Sequence, residues 1–242
     1  MRASFVLIVL AACGDNIGSA ARELSYDWNG NPIVCSQPTD DYQTPEQWDR
    51  IDAELRDARD NEWVAIMHAH IPGVTISRDT LERILRGARD NNLDFVTFRD
   101  LDAPHGPHGA LAFAFDDNAP DQWVTIRDLL TSYHAHVTFF VARWQDMTPP
   151  QHDEIAELAG DGHDIEPHTV NHLNAVDYVA ANGIDAYINV EVLPSFQVLT
   201  DFGFPAATAF AYPFGVHDAQ IDAAVLQHVD RVRTTPGECP NH

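Results

Sequence analysis

Two adjacent aspartates follow a short apolar run in the middle of the chain. Residues 111–115 read Leu-Ala-Phe-Ala-Phe, and Asp116 and Asp117 come directly after them. Two carboxylates at the end of a buried strand repel each other and lose hydration, so they need a cation or a polar partner to stay ionised. A bound cation would meet that need. A turn or a helix cap is the alternative, because Asp-Asp-Asn-Ala-Pro has the composition of a turn.

Two histidines stand four residues apart farther along the chain. His168 and His172 enclose the sequence Thr-Val-Asn. Side chains at this spacing share one face of a helical turn, and two imidazole nitrogens on one face can bind one metal ion. The chain contains 13 histidines, so such a spacing also arises by chance. The pair alone leaves a metal site and an incidental spacing both open.

A third motif, Tyr-Pro-Phe-Gly, ends another apolar run. It begins at Tyr212, and Pro213 within it fixes the direction of the chain. A turn of this kind can aim backbone N–H groups, such as that of Phe214, into a site where negative charge develops. An ordinary surface loop is the alternative.

The elements that must position these groups alternate between strands and helices. A first helix is predicted to begin at Thr44, because Thr-Pro-Glu-Gln combines an N-cap, a first-turn proline and a Gln three residues later. Repeated strand and helix units predict an α/β fold with a mostly parallel sheet, closed or nearly closed into a barrel. The three motifs then lie at the carboxyl ends of strands. The predicted strands cover 63–67, 95–98, 110–115, 137–141, 164–166, 208–212 and 231–234, and the further helices cover 77–90, 121–133, 150–160, parts of 172–202 and 219–228.

The amino terminus resembles a bacterial lipoprotein signal. Arg2 precedes an apolar run over residues 5–10, and Leu-Ala-Ala-Cys ends at Cys13. Such signals are cut before the cysteine, which then carries lipid, so residues 1–12 are predicted to be a signal peptide. The run is shorter than the ~20 residues of a membrane span, so we expect membrane attachment through the lipid alone. A buried strand with an incidental cysteine is the alternative.

Export would place the remaining cysteines in an oxidising compartment. Residues 13–43 show no clear periodicity and are predicted to be a tether and an irregular arm, and residues 44–242 are predicted to form one domain. Cys35 lies before the first predicted core strand and Cys239 lies near the carboxyl terminus. We hypothesise a disulfide between them that ties the two ends of the domain together.

The charge of the chain excludes one class of partner. The formal net charge is −23, and all 14 basic residues are arginines. Such a surface is repelled by phosphate backbones and anionic lipid headgroups, so we expect no nucleic-acid partner.

In this order and spacing the motifs resemble the polysaccharide deacetylase family, also called the NodB homology domain or carbohydrate esterase family four. The family's Thr-Phe-Asp-Asp-Gly corresponds to Ala-Phe-Asp-Asp-Asn at 114–118, and its His-Ser/Thr-x-x-His is intact at 168–172. Its Arg-x-Pro-Tyr corresponds to Ala-Tyr-Pro-Phe at 211–214, and its strand Ala-Thr-Phe-Phe-Val to residues 137–141. The resemblance spans about residues 63–236. It implies a distorted (β/α) barrel with about seven parallel strands.

The resemblance also implies a catalytic site. One divalent metal ion, expected to be zinc, would be held by Asp117, His168 and His172, with positions left open for water and the acetyl oxygen. Asp116 would take a proton from the attacking water. The backbone N–H of Phe214 would help to hold the oxyanion, and Tyr212, at the start of the same turn, is also expected at the oxyanion or substrate site.

The proton donor for the leaving group is expected near the front of the chain. In most of the family this acid is a histidine in a carboxyl-terminal motif, for which this chain ends too soon. Residues 64–68 resemble instead the apolar-Tyr-His strand of the circularly permuted branch, which includes poly-N-acetylglucosamine deacetylases. We therefore assign the acid to His68 and keep His70, on the same side of the strand, as the reserve candidate. A satisfied strand-end histidine is the alternative for His68.

One departure from the family pattern concerns the base. The arginine that usually orients it is replaced by Ala211, which removes a charge that would hold Asp116 ionised. We expect this change to affect catalytic efficiency more than metal binding.

The resemblance therefore predicts an exported, lipid-anchored hydrolase of the cell envelope that removes N-acetyl groups from an amino-sugar polysaccharide, with residues 44–242 as its catalytic domain. An esterase for O-acetylated glycans of the xylan type and a non-catalytic glycan- or metal-binding lipoprotein are the alternatives. Trp123, Trp144 and Tyr178 would stack on sugar rings if they line a groove, and core or rim positions are the alternative for each.

Overall fold

The computed structural model describes residues 24–41, 44–102, 107–237 and 239. The signal peptide and Cys13 lie outside these residues. The strands are β1 Ser25–Tyr26, β2 Ile33–Cys35, β3 Gln37–Pro38, β4 Val64–Ala69, β5 Asp94–Val96, β6 Ala110–Asp117, β7 Thr138–Val141, β8 Asp164–Pro167, β9 Ala209–Ala211 and β10 Arg231–Thr234. The α-helices are α1 Pro45–Asn61, α2 Arg78–Asp90, α3 Pro120–Trp123, α4 Arg127–Tyr133, α5 Pro149–Gly160, α6 Ala175–Asn182, α7 Ile184–Tyr187, α8 Leu193–Asp201 and α9 Ala219–Val225.

The strands form two sheets. The larger one has the order β1-β4-β6-β7-β8, with β3 also paired to β4 and β5 to β6, and the smaller one has the order β2-β10-β9. All pairs are parallel except that of β1 with β4. The mostly parallel α/β fold predicted from the alternating elements is therefore confirmed.

Side chains connect the two sheets between β8 and β9. The buried carboxylate of Glu166 accepts hydrogen bonds from the backbone N–H and the hydroxyl of Thr208 at 2.8–3.1 Å. Arg99 donates to the same carboxylate at 2.9 Å. These charge-assisted side-chain bonds, and not backbone pairing, join β8 to β9. The barrel is therefore distorted.

The segment predicted as an irregular arm contributes strands β1, β2 and β3, so that prediction is wrong at residues 25–26, 33–35 and 37–38. Ile33 pairs with Val232 in β10, and Gln37 pairs with Met67 in β4. The strands are two or three residues long, so they are too short to show an alternating pattern in the sequence.

The helix predicted over residues 121–133 is interrupted. A 3₁₀ turn, Val124–Ile126, separates α3 from α4. Val, Thr and Ile in succession are all β-branched, and their restricted side chains disfavour a continuous α-helix. The helix at Thr44 begins as predicted, with reciprocal capping bonds between Thr44 and Gln47.

The central strands β4, β6 and β7 are buried on both faces, which is why they read as uninterrupted apolar runs. Phe115 packs between Phe113 and Phe139, with ring centroids 5.2 and 5.5 Å apart. This rigid centre carries the two aspartates at its carboxyl edge. No helix in the described part of the chain is long and apolar enough to cross a membrane.

A disulfide joins the two ends of the domain. Cys35 and Cys239 are bonded, with the Sγ atoms 2.10 Å apart and a sequence separation of 204. The next residue, Ser36, donates its backbone N–H to Thr234 O at 3.1 Å. The bond therefore fastens β2 to the segment that follows β10.

Candidate active site

Polar side chains from both sheets meet at the carboxyl ends of the strands. Asp116 and Asp117 end β6, and their backbones pair with Phe140 and Val141 of β7. His68 lies near the end of β4, and His168 follows β8. This is the edge at which parallel α/β folds place functional residues.

The first cluster consists of Asp117, His168 and His172. Asp117 Oδ1 lies 3.0 Å from His172 Nε2 and 3.9 Å from His168 Nε2. His168 Nδ1 donates to the carbonyl of Ala211 at 2.7 Å, so its Nε2 is the nitrogen that faces the cluster. Burial lowers the pKa of His168 to about 4, which keeps this ring neutral at pH 7.

Left-handed backbone conformations are concentrated in this cluster. Asp117, Thr169 and His172 have φ values of 86, 70 and 57°. For side chains larger than glycine such conformations cost on the order of 1–3 kcal/mol each, and they occur at sites where geometry is imposed. The Thr169 hydroxyl accepts the backbone N–H of His172 at 2.9 Å, which helps to hold the turn between the two histidines.

Glu191 supports the turn between His168 and His172, and its role was not predicted from the sequence. It lies in the π-helical turn Ile188–Val192 and is fully buried. Its carboxylate accepts the backbone N–H and the side-chain amide of Asn171 at 2.8 and 2.6 Å. π-helical turns are rare and occur often at functional sites, but this one leaves no distinctive pattern in the sequence.

Asp116 is paired with Arg233. Arg233 Nη2 lies 2.5 Å from Asp116 Oδ2, and both side chains are buried. Burial alone would raise the pKa of Asp116, but the charge of Arg233 outweighs it and holds the pKa well below its usual range. The prediction that Asp116 lacks an arginine partner is therefore wrong. Arg233 lies opposite Ala211 in the β9–β10 register, so the guanidinium comes from the neighbouring strand.

His68 is close to Asp116, as predicted, but in an environment that disfavours a charged ring. Its side chain is buried, and its Nδ1 is 2.8 Å from the hydroxyl of Ser36. Burial, followed by the charge of Arg233, lowers the pKa of His68 to about 3. The ring is therefore neutral over the physiological range.

His70 has the opposite electrostatic environment. Its Nδ1 lies 2.6 Å from Oδ2 of Asp40, whose other oxygen accepts the Thr75 hydroxyl and the His70 backbone N–H. Burial opposes protonation, but the bond to Asp40 and the charges of Asp116, Asp40 and Asp117 outweigh it and raise the pKa of His70 to about 9. The ring is partly exposed, so a protonated His70 faces solvent beside Asp116.

The turn of the third motif places its two aromatic residues differently. Phe214 has a φ of 61°, is 62% exposed and packs its ring against His172 at 4.8 Å. Tyr212 is 1% exposed and packs on Phe210, so its side chain lies in the core and not at the predicted substrate position. Gly215 has a φ of 70°, and a Cβ there would lie 2.1 Å from the Thr235 hydroxyl, so the turn requires glycine.

Within the residues that the structure describes, two groups of side chains are arranged closely enough to bind a metal ion. In the cluster of Asp117, His168 and His172, all three donor atoms lie within 4.8 Å of one another, and one carboxylate with two imidazoles suits a zinc-like ion. The second group joins His68, His70 and Asp116 within the same limit. Asp116 is already neutralised there by Arg233 and His70 is protonated, so only the first cluster fits a metal.

Comparison with known proteins gives the family. A family model described as polysaccharide deacetylase matches residues 104–230, slightly more than half of the chain. The chain belongs to the polysaccharide deacetylase family. These enzymes are hydrolases that remove acetyl groups from polysaccharides. Three of the residues around Asp116, namely His68, His70 and Arg233, lie outside the matched segment.

Solved structures show the same fold. IcaB from Ammonifex degensii superposes with a TM-score of 0.57 at 18% identity, over 72% of this chain and 84% of that one. A de-N-acetylase from Aggregatibacter actinomycetemcomitans gives 0.58 at 17% identity, over 69% and 85%. BC0361, a polysaccharide deacetylase from Bacillus cereus, gives 0.54 at 15% identity, over 84% and 57%. A search of curated proteins found no match.

Proposed function

We propose that this deacetylase removes N-acetyl groups from an amino-sugar polysaccharide, with Asp116 as the general base and His70 as the general acid. One observation carries the proposal. Asp116 directly precedes Asp117 of the cluster with His168 and His172, and its carboxylate shares a second group of donor atoms, within 4.8 Å of one another, with the protonated His70. Amide hydrolysis needs a base, an acid and a group that polarises the carbonyl. Asp116, with a lowered pKa, and His70, with a raised pKa, are suited to the first two roles, and the cluster of potential metal ligands is suited to the third.

Asp117, His168 and His172 would hold the metal ion. A divalent ion at this position supplies Lewis-acid polarisation of the acetyl carbonyl and lowers the pKa of water. His168 is held in the required tautomer by its bond to Ala211 O, and the turn that carries His172 is held by Thr169. The site is therefore preorganised by the protein chain itself.

Asp116 would accept the proton of the attacking water. Arg233 keeps this carboxylate ionised and fixes its Oδ2, while Oδ1 has no hydrogen-bond partner in the described part of the protein. A buried acceptor atom without a partner is unusual in folded proteins. It is the atom that we assign to the proton of the water.

His70 would then protonate the leaving nitrogen. The bond from Nδ1 to Asp40 orients the ring and leaves the Nε2 proton for transfer. This replaces His68, our first assignment, because His68 is neutral and buried. A protonated acid also favours N-acetyl over O-acetyl substrates, since an amine leaves an amide only after protonation whereas an alkoxide is a better leaving group.

The backbone N–H of Phe214 would assist the oxyanion. The positive φ of Phe214 turns its peptide group within the Tyr-Pro-Phe-Gly turn, next to His172. An N–H donor fixed in this way stabilises negative charge without reorganisation. Tyr212 has no direct role in this scheme, because its side chain lies in the core.

Acetate release from a panel of N- and O-acetylated glycans tests the proposal. We expect the N-acetylated amino-sugar polymers to be hydrolysed, a chelator to abolish the activity and added zinc to restore it. Asp116→Asn should lose turnover while it keeps the metal. Release from O-acetylated glycans alone would support the esterase alternative, and no release from any substrate by metal-loaded protein would favour a binding role.

We also propose that the protein is exported and anchored at the cell envelope by lipid on Cys13. The disulfide between Cys35 and Cys239 supports an oxidising compartment, because such bonds persist there and are rare in the cytosol. Labelling with a radioactive fatty acid, lost in Cys13→Ser, tests the anchor.

A further inference from the structure

The Tyr-Pro-Phe-Gly turn that begins at Tyr212 is exposed and conformationally strained. Phe214 has a φ of 61°, a left-handed conformation that costs free energy for a residue other than glycine. Its side chain is 62% exposed, so burial of the ring contributes little to holding that conformation. Such a conformation persists only when the surrounding structure imposes it. The contacts that hold the turn therefore determine where the Phe214 N–H points.

Strand β10 holds the turn from one side. The buried hydroxyl of Thr234 donates to the carbonyl oxygen of Gly215 at 2.6 Å. At the start of the turn, the backbone N–H of Tyr212 donates to Arg233 O at 3.1 Å. Thr234 directly follows Arg233, the partner of Asp116. One strand therefore fixes the proposed base and both ends of the turn.

A pair of side chains holds the exit of the turn to helix α9. His217 Nδ1 lies 2.9 Å from both carboxylate oxygens of Asp222, and both side chains are 7% exposed. The His217 ring also stacks on the Tyr212 ring, with centroids 5.3 Å apart and an angle of 13° between the planes. Asp222 lies in the first turn of a helix that Asp218 caps with two hydrogen bonds from backbone N–H groups, both at 2.9 Å. The chain that leaves the turn is therefore tied to a fixed helix end.

We propose that Thr234 and His217 are positioning residues for the deacetylation reaction, because they hold the turn that presents the Phe214 N–H to the oxyanion. The inference rests on the proposed function, in which this N–H is an oxyanion donor. Such a donor is effective only when it is already aimed at the developing charge, and a displacement of about 1 Å can cost about 10²-fold in rate. Both residues act through the turn and not by contact with the substrate.

Variants of Thr234 remove or retain its hydroxyl. Thr234→Val has nearly the shape of threonine but cannot donate to Gly215 O, and Thr234→Ser keeps the donor. Thr125→Val is the matched control. The Thr125 hydroxyl also donates to a backbone carbonyl at 2.6 Å, that of Gln122, but it lies in the 3₁₀ turn between α3 and α4. Thermal melting establishes that each variant is folded.

We expect Thr234→Val to lower kcat for acetate release by about tenfold, with KM and zinc affinity unchanged, because the N–H meets charge that develops only in the transition state. Thr234→Ser should regain most of the lost kcat, and Thr125→Val should have the wild-type value. A folded Thr234→Val protein with wild-type kcat, or a loss that Thr234→Ser does not recover, would overturn the role of Thr234.

His217→Phe tests the second contact. It keeps a ring against Tyr212 and removes the nitrogen that contacts Asp222. We expect kcat to fall at constant KM, as in Thr234→Val, whereas Asp222→Asn, which leaves an acceptor for His217, should have a smaller effect. Wild-type kcat in a folded His217→Phe protein would overturn the role of His217.

Hydrogen exchange measures the rigidity of the turn without catalysis. The N–H groups of Gly215 and Val216 donate to carbonyl oxygens within the turn at 2.9 and 3.3 Å, so their exchange with deuterium reports its opening. Mass spectrometry should show about tenfold faster exchange in Thr234→Val than in the wild type or Thr125→Val. Unchanged exchange would overturn the proposal. If the wild-type protein releases no acetate, the proposed function fails, whereas faster exchange in Thr234→Val still supports the hold on the turn.

Discussion

Arg233 of β10 and Asp116 of β6 form a buried ion pair across the two sheets, with Nη2 and Oδ2 2.5 Å apart and a sequence separation of 117. The guanidinium carbon of Arg233 lies 5.3 Å from the centre of the Phe140 ring, which covers the pair from the side of β7. Two other nitrogens of Arg233 have no partner in the described part of the protein. The arginine is thus held in the core by a single carboxylate.

Arg233→Ala is expected to lower kcat by about 10²-fold, because the base loses the charge that keeps it ionised and oriented. It should also destabilise the fold by about 3–5 kcal/mol, since a buried charge is left without its partner. Acetate-release kinetics and thermal melting followed by circular dichroism measure the two effects. A folded Arg233→Ala protein with wild-type kcat would refute the role.

A relocated arginine separates the electrostatic role from loss of packing. Ala211 lies opposite Arg233 in the parallel register, so an arginine at 211 would extend into the space left by Arg233→Ala. We expect the double variant Ala211→Arg with Arg233→Ala to regain part of the lost kcat. Arg233→Met, which fills the space without charge, serves as the control and should not.

The pKa of His70, the proposed acid, predicts the alkaline limit of the pH profile of kcat. His70 has a raised pKa of about 9, so its protonated form is present below that pH and is lost above it. We therefore expect kcat to fall as the pH rises through about 9. Asp40→Asn removes the bond that favours protonation, so its alkaline limb should move down by about one to two pH units. An unchanged limb in Asp40→Asn would contradict the assignment.

His68 in β4 and His70, which directly follows that strand, are distinguished by paired variants. His70→Gln should lower kcat by about 10²-fold or more, because the proton donor is removed. His68→Gln should have a smaller effect on kcat and a larger one on stability, because His68 is buried against Ser36. The reverse ranking would restore His68 as the acid.

Local sequence patterns predicted the framework and the metal-ligand motif. The apolar runs of β4, β6 and β7 are buried on both faces, so each strand is visible in the sequence without knowledge of its neighbours. Asp117 ends β6, and His168 and His172 are four residues apart, but only the resemblance to the deacetylase family joined the three in one predicted metal site. The structure brings these three together.

Groups that depend on strand register were not predictable in the same way. Arg233 reaches Asp116 only because β10 lies beside β9, and Asp40 reaches His70 only because the two-residue strand β3 pairs with β4. Both contacts join segments that are far apart in the chain. Glu191 was missed because its role depends on a π-helical turn that no residue pattern marks.

Metal binding should require the first cluster alone. We expect one zinc ion per chain, and Asp117→Asn or His172→Ala should abolish stoichiometric binding because each removes one of three ligands. Zinc should raise the melting temperature of the wild-type protein, since it binds only the folded state. Elemental analysis after dialysis and thermal melting measure these effects. His68→Gln is the control and should keep one ion. Loss of the ion in His68→Gln would indicate that the group of His68, His70 and Asp116 binds the metal instead.

Glu191 is expected to act on the metal through the turn it supports. Glu191→Gln keeps the size of the side chain but replaces one of the two oxygens that receive the Asn171 donors. Zinc affinity should fall by about 10–100-fold, as it does when supporting groups of metal ligands are changed. Competition with a chromogenic chelator measures the affinity. Glu46→Gln, on the exposed surface of α1, is the control, and equal affinities in the two variants would exclude the role.

The disulfide should support both stability and catalysis, because it fastens the segment after β10 to β2. The double variant Cys35→Ala with Cys239→Ala lacks the bond, and we expect its free energy of unfolding to be lower by about 2–4 kcal/mol. The reason is that the bond closes a very long loop in the unfolded chain. The strand it secures carries Arg233, and Ser36 beside Cys35 contacts His68. We therefore expect kcat to fall as well, at temperatures where the double variant is still folded. Mass spectrometry with and without reductant establishes the bond, and an unchanged melting temperature after reduction would contradict its structural role.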